Sequence, residues 1–253
     1  MNEIAAFFDE APCEAWHSEA PVGSALWSHQ VTEQRYFVQP HIENFVDFPH
    51  WKGKRVLEIG CGIGTDTLKF VRAGAKVDAL DFSYESVSLA NDRIRAEGFQ
   101  SFPYSDVAKF YWSNAESYMP LENYDLIYSF GVLHHTPCPE VILKKAWARL
   151  LGDGELRIML YAKWSIKHLF GIQPEAQAGC PLVRWYSKRE ARKLLESCGF
   201  EVVSIEKTHI FPWRISDYRE HRFVKAFPWS ITPKWLFRWL EHRLGHQLLI
   251  CAR

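Results

Sequence analysis

Residues 55–64 read Arg-Val-Leu-Glu-Ile-Gly-Cys-Gly-Ile-Gly, an apolar strand running into a glycine turn, and Asp81 follows 17 residues after Gly64 at the end of Val77-Asp78-Ala79-Leu80-Asp81. Strand, turn, helix, second strand and acid together build a nucleoside pocket. The glycines let the backbone pass close to a ligand, and the acid takes a ribose diol.

Two cofactor classes compete for such a turn. A dinucleotide seats its pyrophosphate at the helix N-terminus, over a G-x-G-x-x-G turn. Here the glycines are Gly60, Gly62 and Gly64, and Thr65 stands where the third fingerprint glycine belongs. Glu58 lies two residues before the first glycine, and Asp66 falls in the first helical turn. Acids on both sides of the turn repel a pyrophosphate and suit a ligand carrying an ammonium and a sulfonium. A bare βα turn without a ligand is the plain alternative, and three further features in register speak against it. Asp81-Phe82-Ser83 ends the second strand, with Ser83 as the N-cap of a helix over 84–97 closed by Gly98. Asn114-Ala115-Glu116 follows Phe110-Tyr111-Trp112, and Asn114 reads equally as an adenine contact or as an Asx turn. Residues 124–137 form a buried strand that passes through Ser129-Phe130-Gly131 and opens at His134-His135 into a loop and a helix.

Taken together these segments resemble the class I S-adenosylmethionine-dependent methyltransferases over about residues 50–208. Residues 56–64 carry the glycine motif, Asp81 is the ribose acid, and Asn114-Ala115 is the adenine-side pair. Residues 150–156 are a shortened turn before the fifth strand, lacking the proline that many relatives have. The resemblance implies an α/β fold with a doubly wound, mostly parallel seven-stranded sheet, its last strand antiparallel. It implies S-adenosyl-L-methionine as the cofactor. The binding residues it implies are Glu58, Gly60, Cys61, Gly62, Gly64, Thr65, Asp81, Phe82, Asn114, Ala115, Ser129, Phe130 and Gly131. Arg35 and Tyr36, just ahead of the domain, are placed to close over the cofactor's carboxylate.

Methyl transfer from a sulfonium is an in-line displacement, so the protein must hold the acceptor atom about 3 Å behind the methyl and exclude water. A hydroxyl, a carbon acid or a protonated amine needs a base, whereas a carboxylate needs none. His134 and His135 stand where strand four ends, with a side chain suited to proton removal near neutral pH. Adjacent histidines point apart, so at most one should face the site. Tyr161, ending strand five, and His209, opening a late insert, are the other candidate bases. No third ligand follows the histidine pair at a recognisable spacing, so no metal is expected. The expected function is methylation of a small-molecule or natural-product acceptor, with O-, N- and C-methylation all open. An RNA methyltransferase and a non-catalytic S-adenosylmethionine-binding protein are the alternatives. A nicotinamide oxidoreductase is disfavoured by the glycine spacing and Glu58.

With 253 residues, 47% of them apolar, and a formal charge of zero, the chain suits one large α/β domain and offers no global attraction to nucleic acid. Residues 1–50 hold eight acids and the single Arg35, while 184–243 hold 13 Lys and Arg against seven acids. These read as two solvated faces that could pack together. Six cysteines without a C-x-x-C pair read as reduced thiols. With no basic-apolar leader and no long apolar run, the expected setting is cytoplasmic, without a membrane partner. Nothing in the sequence sets an oligomeric state.

The periodicity predicts strands near 55–60, 76–81, 109–113, 124–130 and 154–161, with helices near 65–73, 84–97 and 138–151. Ser187-Lys188-Arg189-Glu190 is a capping box for a helix over 188–197, followed by strands at 200–208 and 246–252. Residues 1–50 form a helical extension or lid, and 51–253 a Rossmann-like domain with inserts at about 162–186 and 209–244. The second insert holds Phe211, Trp213, Tyr218, Phe223, Phe227, Trp229, Trp235, Phe237 and Trp239. That composition fits an aromatic lid over an acceptor, a small satellite core, or both.

Overall fold

A computed structural model describes residues 2–99, 106–172 and 179–253. Seven strands, β1 (Arg55–Ile59), β2 (Lys76–Asp81), β3 (Ala108–Trp112), β4 (Tyr124–Phe130), β5 (Leu150–Tyr161), β6 (Val202–Thr208) and β7 (Gln247–Ala252), form one sheet. Their order is β3-β2-β1-β4-β5-β7-β6. The first five pair in parallel, and β7 runs antiparallel to both β5 and β6.

Three helices precede the sheet: α1 (Asn2–Glu10), α2 (Ala25–Val38) and α3 (His41–Val46). Within it come α4 (Thr65–Arg72), α5 (Tyr84–Ala96), α6 (Pro139–Trp147), α7 (Ile166–Leu169) and α8 (Lys188–Ser197). The late insert adds α9 (Ile215–Arg219) and α10 (Lys234–Leu244). Residues 173–178 of the first insert lie outside the described residues.

Both faces of the sheet are covered, so β1 and β4 are buried along nearly their whole length. Alternation still divides the core. Leu57, Ile59, Ile127 and Ile158 pack with Ile142 and Leu143 of α6 and Leu195 of α8. Val56, Val77, Leu126 and Tyr128 pack with Leu68, Phe70 and Val71 of α4 and with Trp51. Local signals set the helix starts. Ser83 Oγ accepts from the Ser86 N–H, and both halves of the Ser187–Glu190 capping box form.

The predicted boundaries err where packing overrides period. The helix expected over 138–151 stops at Trp147, which rests on Phe200 at 5.2 Å between ring centroids. Leu150 then pairs with Tyr124, so β5 starts four residues before the expected 154 and shifts register before Leu126 pairs with Glu155. Phe200 is buried but precedes β6.

The order reverses between β1 and β4, and the crevice beyond their carboxyl ends is where an open α/β sheet binds ligands. A residue with no motif braces that crevice. Arg93, fully buried in α5, donates to the Ile63 carbonyl and the Thr65 hydroxyl, and to Ser28 and Thr32 of α2. One guanidinium thereby ties the glycine turn to the N-terminal helices. Among the described residues, no helix is long and apolar enough to cross a membrane.

Candidate active site

The glycine turn and the end of β4 share a cavity, and each glycine serves a different purpose. A Cβ on Gly60 would sit 2.2 Å from Val132 Cγ2, and one on Gly64 would sit 2.8 Å from Ala90 Cβ in α5. A Cβ on Gly62 would meet nothing, because Gly62 faces the open cavity. Gly62 has φ of +51°, and its N–H donates to Asp81 Oδ2 at 2.8 Å. Asp81 Oδ1 accepts from the Ser83 N–H at 2.9 Å. Burial pushes the Asp81 carboxyl above its ordinary value, against the hydrogen bonds from the backbone. Its two oxygens keep acceptor capacity toward the cavity, where ribose hydroxyls would donate.

Glu58 is 3% exposed and lines the same cavity. Its side chain accepts from the Thr67 hydroxyl, a neutral partner. Burial, reinforced by nearby Asp66, holds Glu58 well above the usual carboxylate range. The matching acid expected at Asp66 plays another part. Arg35 grips it through Nε (2.9 Å) and Nη2 (2.6 Å), and the Tyr36 and Tyr128 hydroxyls donate to it at 2.7 and 2.8 Å. Burial alone would raise Asp66, but Arg35 and these bonds hold it below the ordinary value. The remaining Arg35 nitrogen pairs with Glu14. Arg35 does line the cavity, but its charge is shared between two acids of the protein. Asp66 also lines the cavity, but its charge is met by Arg35, so among the described residues Glu58 is the acid of this turn without an ion pair.

On the adenine side, Asn114 Oδ1 accepts from the Glu116 N–H at 2.9 Å, so the Asx turn forms. Asn114, Ala115 and Phe82 all line the cavity, as do Cys61, Thr65, Phe130 and Gly131. Tyr36, Gly64 and Ser129, expected at the cofactor, and His134, expected as a candidate base, do not line this cavity. Tyr36 supports Asp66, and Gly64 abuts α5. Ser129 Oγ donates to the Ile59 carbonyl at 2.9 Å. His134 is fully buried, its ring 3.7 Å from that of Tyr161.

His135, Tyr161 and His209 do line the cavity. His135 Nδ1 lies 2.6 Å from the Leu182 carbonyl, an acceptor only, so the proton sits on Nδ1 and Nε2 is the basic nitrogen. His209 is buried at φ +66°, and burial, His41 and Lys167 push its pKa well below the usual value. That makes His209 a weak base. Sequence reasoning missed His246, Gln247 and Lys167, which share this end of the cavity. The signal for the first two was available. An antiparallel last strand starts where its parallel neighbour ends, and Tyr161 pairs with Gln247. Gln247 links onward to His41 (2.6 Å) and Gln39 (2.8 Å). Lys167 sits in α7, with no motif to mark it.

The late insert divides. Phe211, Ile215 and Tyr218 line the cavity, and the Tyr218 hydroxyl meets His17 Nε2 at 3.1 Å. Trp213 and Phe223 instead pack on Phe37 of α2, so the insert supplies both a cavity wall and a packed aromatic cluster.

The buried histidines set an acid limit on stability. His41 is pushed down to about 4 by burial, and His134, His209 and His246 fall well below the usual value for the same reason. Between about pH 6.5 and 4 the unfolded chain binds protons at these four histidines that the folded one refuses. Their contribution lowers stability as pH falls through that window, against the raised carboxyls at Glu58 and Asp81, which act in the opposite sense. His41 alone accounts for about 2 kcal/mol by pH 5. A melting temperature that is flat between pH 7 and 5 in calorimetry would contradict this.

The methyltransferase-domain family matches residues 31–205. Among curated proteins, ubiquinone biosynthesis O-methyltransferase of Actinobacillus pleuropneumoniae is 31% identical over 104 residues, 41% of this chain and 44% of that protein. Methyltransferase GfsG of Streptomyces halstedii is 27% identical over 106 residues, 40% and 35% of the two chains. The matched segment thus spans less than half the length of these relatives. Magnesium protoporphyrin IX methyltransferase from Synechocystis PCC 6803, solved with bound S-adenosylmethionine, shares the fold at a TM-score of 0.58. It is 16% identical, with 99% of this chain and 95% of that one covered.

Proposed function

The chain belongs to the methyltransferase-domain family, and from that premise we propose that it transfers a methyl group from S-adenosylmethionine to a small-molecule acceptor. The observation that carries this reading is Glu58, a buried carboxylate facing the cavity beside open Gly62 with a neutral hydroxyl as its bonded partner. Burial favours its neutral form, and an arriving ammonium or sulfonium would draw it into the charged form, whereas a diphosphate would gain nothing from it.

When bound, S-adenosylmethionine supplies the electrophilic methyl and its own leaving group. Asp81 would take the ribose hydroxyls, Glu58 would face the positive end, and Asn114 with Ala115 would border the adenine. Phe211, Ile215 and Tyr218 would keep water from the acceptor side. Several curated relatives are named O-methyltransferases, which supports an oxygen acceptor. For a hydroxyl acceptor, His135 is the base we favour, since the Leu182 carbonyl fixes its tautomer. The six free cysteines fit a reducing, cytoplasmic setting.

Calorimetry with S-adenosylmethionine and a nicotinamide dinucleotide tests the cofactor, and tight binding of the dinucleotide alone would end this reading. S-adenosylhomocysteine formation across a metabolite library tests turnover. Once an acceptor is found, His135→Gln is expected to lower kcat by about 100-fold or more. Cofactor affinity should stay within about twofold, since a base acts on the acceptor. An unchanged kcat would remove His135 from the chemistry.

A further inference from the structure

Residues 224–244 contribute no side chain to the cavity. Leu236, Phe237, Leu240 and Leu244 of α10 are half-buried at helical spacing, on the side that packs on β6. The outward side is unusual. Trp235 is 70% exposed and Trp239 54%, and the preceding turn adds Phe227 at 80% and Ile231 at 71%. That turn is fixed to the helix, for Trp229 packs edge-on against Phe237 at 5.5 Å.

The exposed formal charge of this segment, residues 225–245, has one sign. Lys225, Lys234, Arg238 and Arg243 are exposed, and among the described residues no ion pair engages them. Arg243 lies over the Trp239 ring at 5.7 Å. The one acid between 225 and 245, Glu241, is half-buried and accepts from the Ile210 N–H. On a helical projection the two tryptophans lie between Lys234 and Arg238 on one side and Arg243 on the other.

We propose that this face binds the surface of a bilayer that carries anionic headgroups. Trp235, Trp239, Phe227 and Ile231 enter the boundary between headgroups and acyl chains, and the four cations meet lipid phosphates. Tryptophan flanked by Lys and Arg is the composition that this boundary selects. At 11 residues, α10 lies on a membrane and does not cross it. A second copy of the chain is disfavoured as the occupant, because a two-fold contact would set four cations against four cations. The expectation of no membrane partner rested on the absence of a spanning segment, which does not bear on surface attachment. The proposal is independent of the methyltransfer reading. The same insert, however, supplies both a cavity wall and this face, which suits an acceptor drawn from the lipid phase.

The test is co-sedimentation of the full chain with vesicles of phosphatidylcholine alone, or with about one-third phosphatidylglycerol. Binding to the anionic vesicles, weakened by salt and accompanied by a blue shift of tryptophan emission, is expected. The double variant Trp235→Ser, Trp239→Ser should bind at least about tenfold more weakly. The triple variant Lys234→Gln, Arg238→Gln, Arg243→Gln should lose the preference for anionic lipid. Both variants should keep the wild-type melting temperature and cofactor affinity, since none of these side chains lines the cavity. Three outcomes would overturn the proposal: no binding to either vesicle, undiminished binding by the tryptophan variant, or a wild-type dimer by light scattering that the same variant abolishes.

Discussion

Replacing Asp81 with alanine will weaken S-adenosylmethionine binding by about 100-fold, well beyond the tenfold that loss of one ordinary hydrogen bond produces. Two effects add. On the proposed reading the ribose would lose two charge-assisted hydrogen bonds in a buried site. The turn also loses its anchor, because Asp81 holds the Gly62 and Ser83 N–H groups at 2.8 and 2.9 Å. Asp81→Asn separates the two effects, since the amide oxygen can keep one backbone donor while the charge is lost. It should fall between wild type and alanine. Calorimetry with S-adenosylmethionine and S-adenosylhomocysteine measures all three proteins. Wild-type affinity in Asp81→Ala would take this residue out of the site.

Arg35→Ala will cost the fold about 3–5 kcal/mol, lowering the melting temperature by about 10 °C. The side chain of Asp66 is 2% exposed, and among the described residues Arg35 is the cation paired with it. Without it, a carboxylate stays buried on two tyrosine hydroxyls, and Glu14 loses its partner as well. The loss should be largest near neutral pH, where Asp66 is ionised. Adding Asp66→Asn to Arg35→Ala should restore part of the stability, because the uncompensated charge is gone. A double-mutant cycle by urea unfolding reads this coupling directly. Additive effects of the two substitutions would show that the pair is not the unit inferred here. Arg35→Lys should not rescue, since a single ammonium cannot hold both oxygens of Asp66.

The contrast between Glu58 and Asp66 shows where sequence reasoning reached its limit. Both acids flank the glycine turn, and by position alone both could serve a cationic ligand. The structure gives Asp66 an arginine from 31 residues upstream and leaves Glu58 with a threonine. Spacing along the chain carries no record of which distant helix supplies a counter-charge. His134 and His135 differ in the same way. Their neighbourhood was legible, but Tyr161 and the Leu182 carbonyl decide which ring faces the cavity and which nitrogen keeps its proton.

The sequence by itself determined the sheet, the glycine turn, Asp81 at the second strand end, and the helix starts at Ser83 and Ser187. The strands, the turn and the helix starts follow from short-range rules: strand and helix period, φ above zero at glycine, and side chains capping the next turn. The seven-stranded arrangement with its antiparallel last strand is what the family resemblance implied. The tertiary structure alone decided the charge balance around the turn, the buried Arg93 brace, and the early stop of α6 against Phe200. It also decided which half of the aromatic insert covers the cavity and which half faces outward. Those outcomes depend on contacts between residues far apart in the chain, where burial and desolvation set the energies and local pattern has no say.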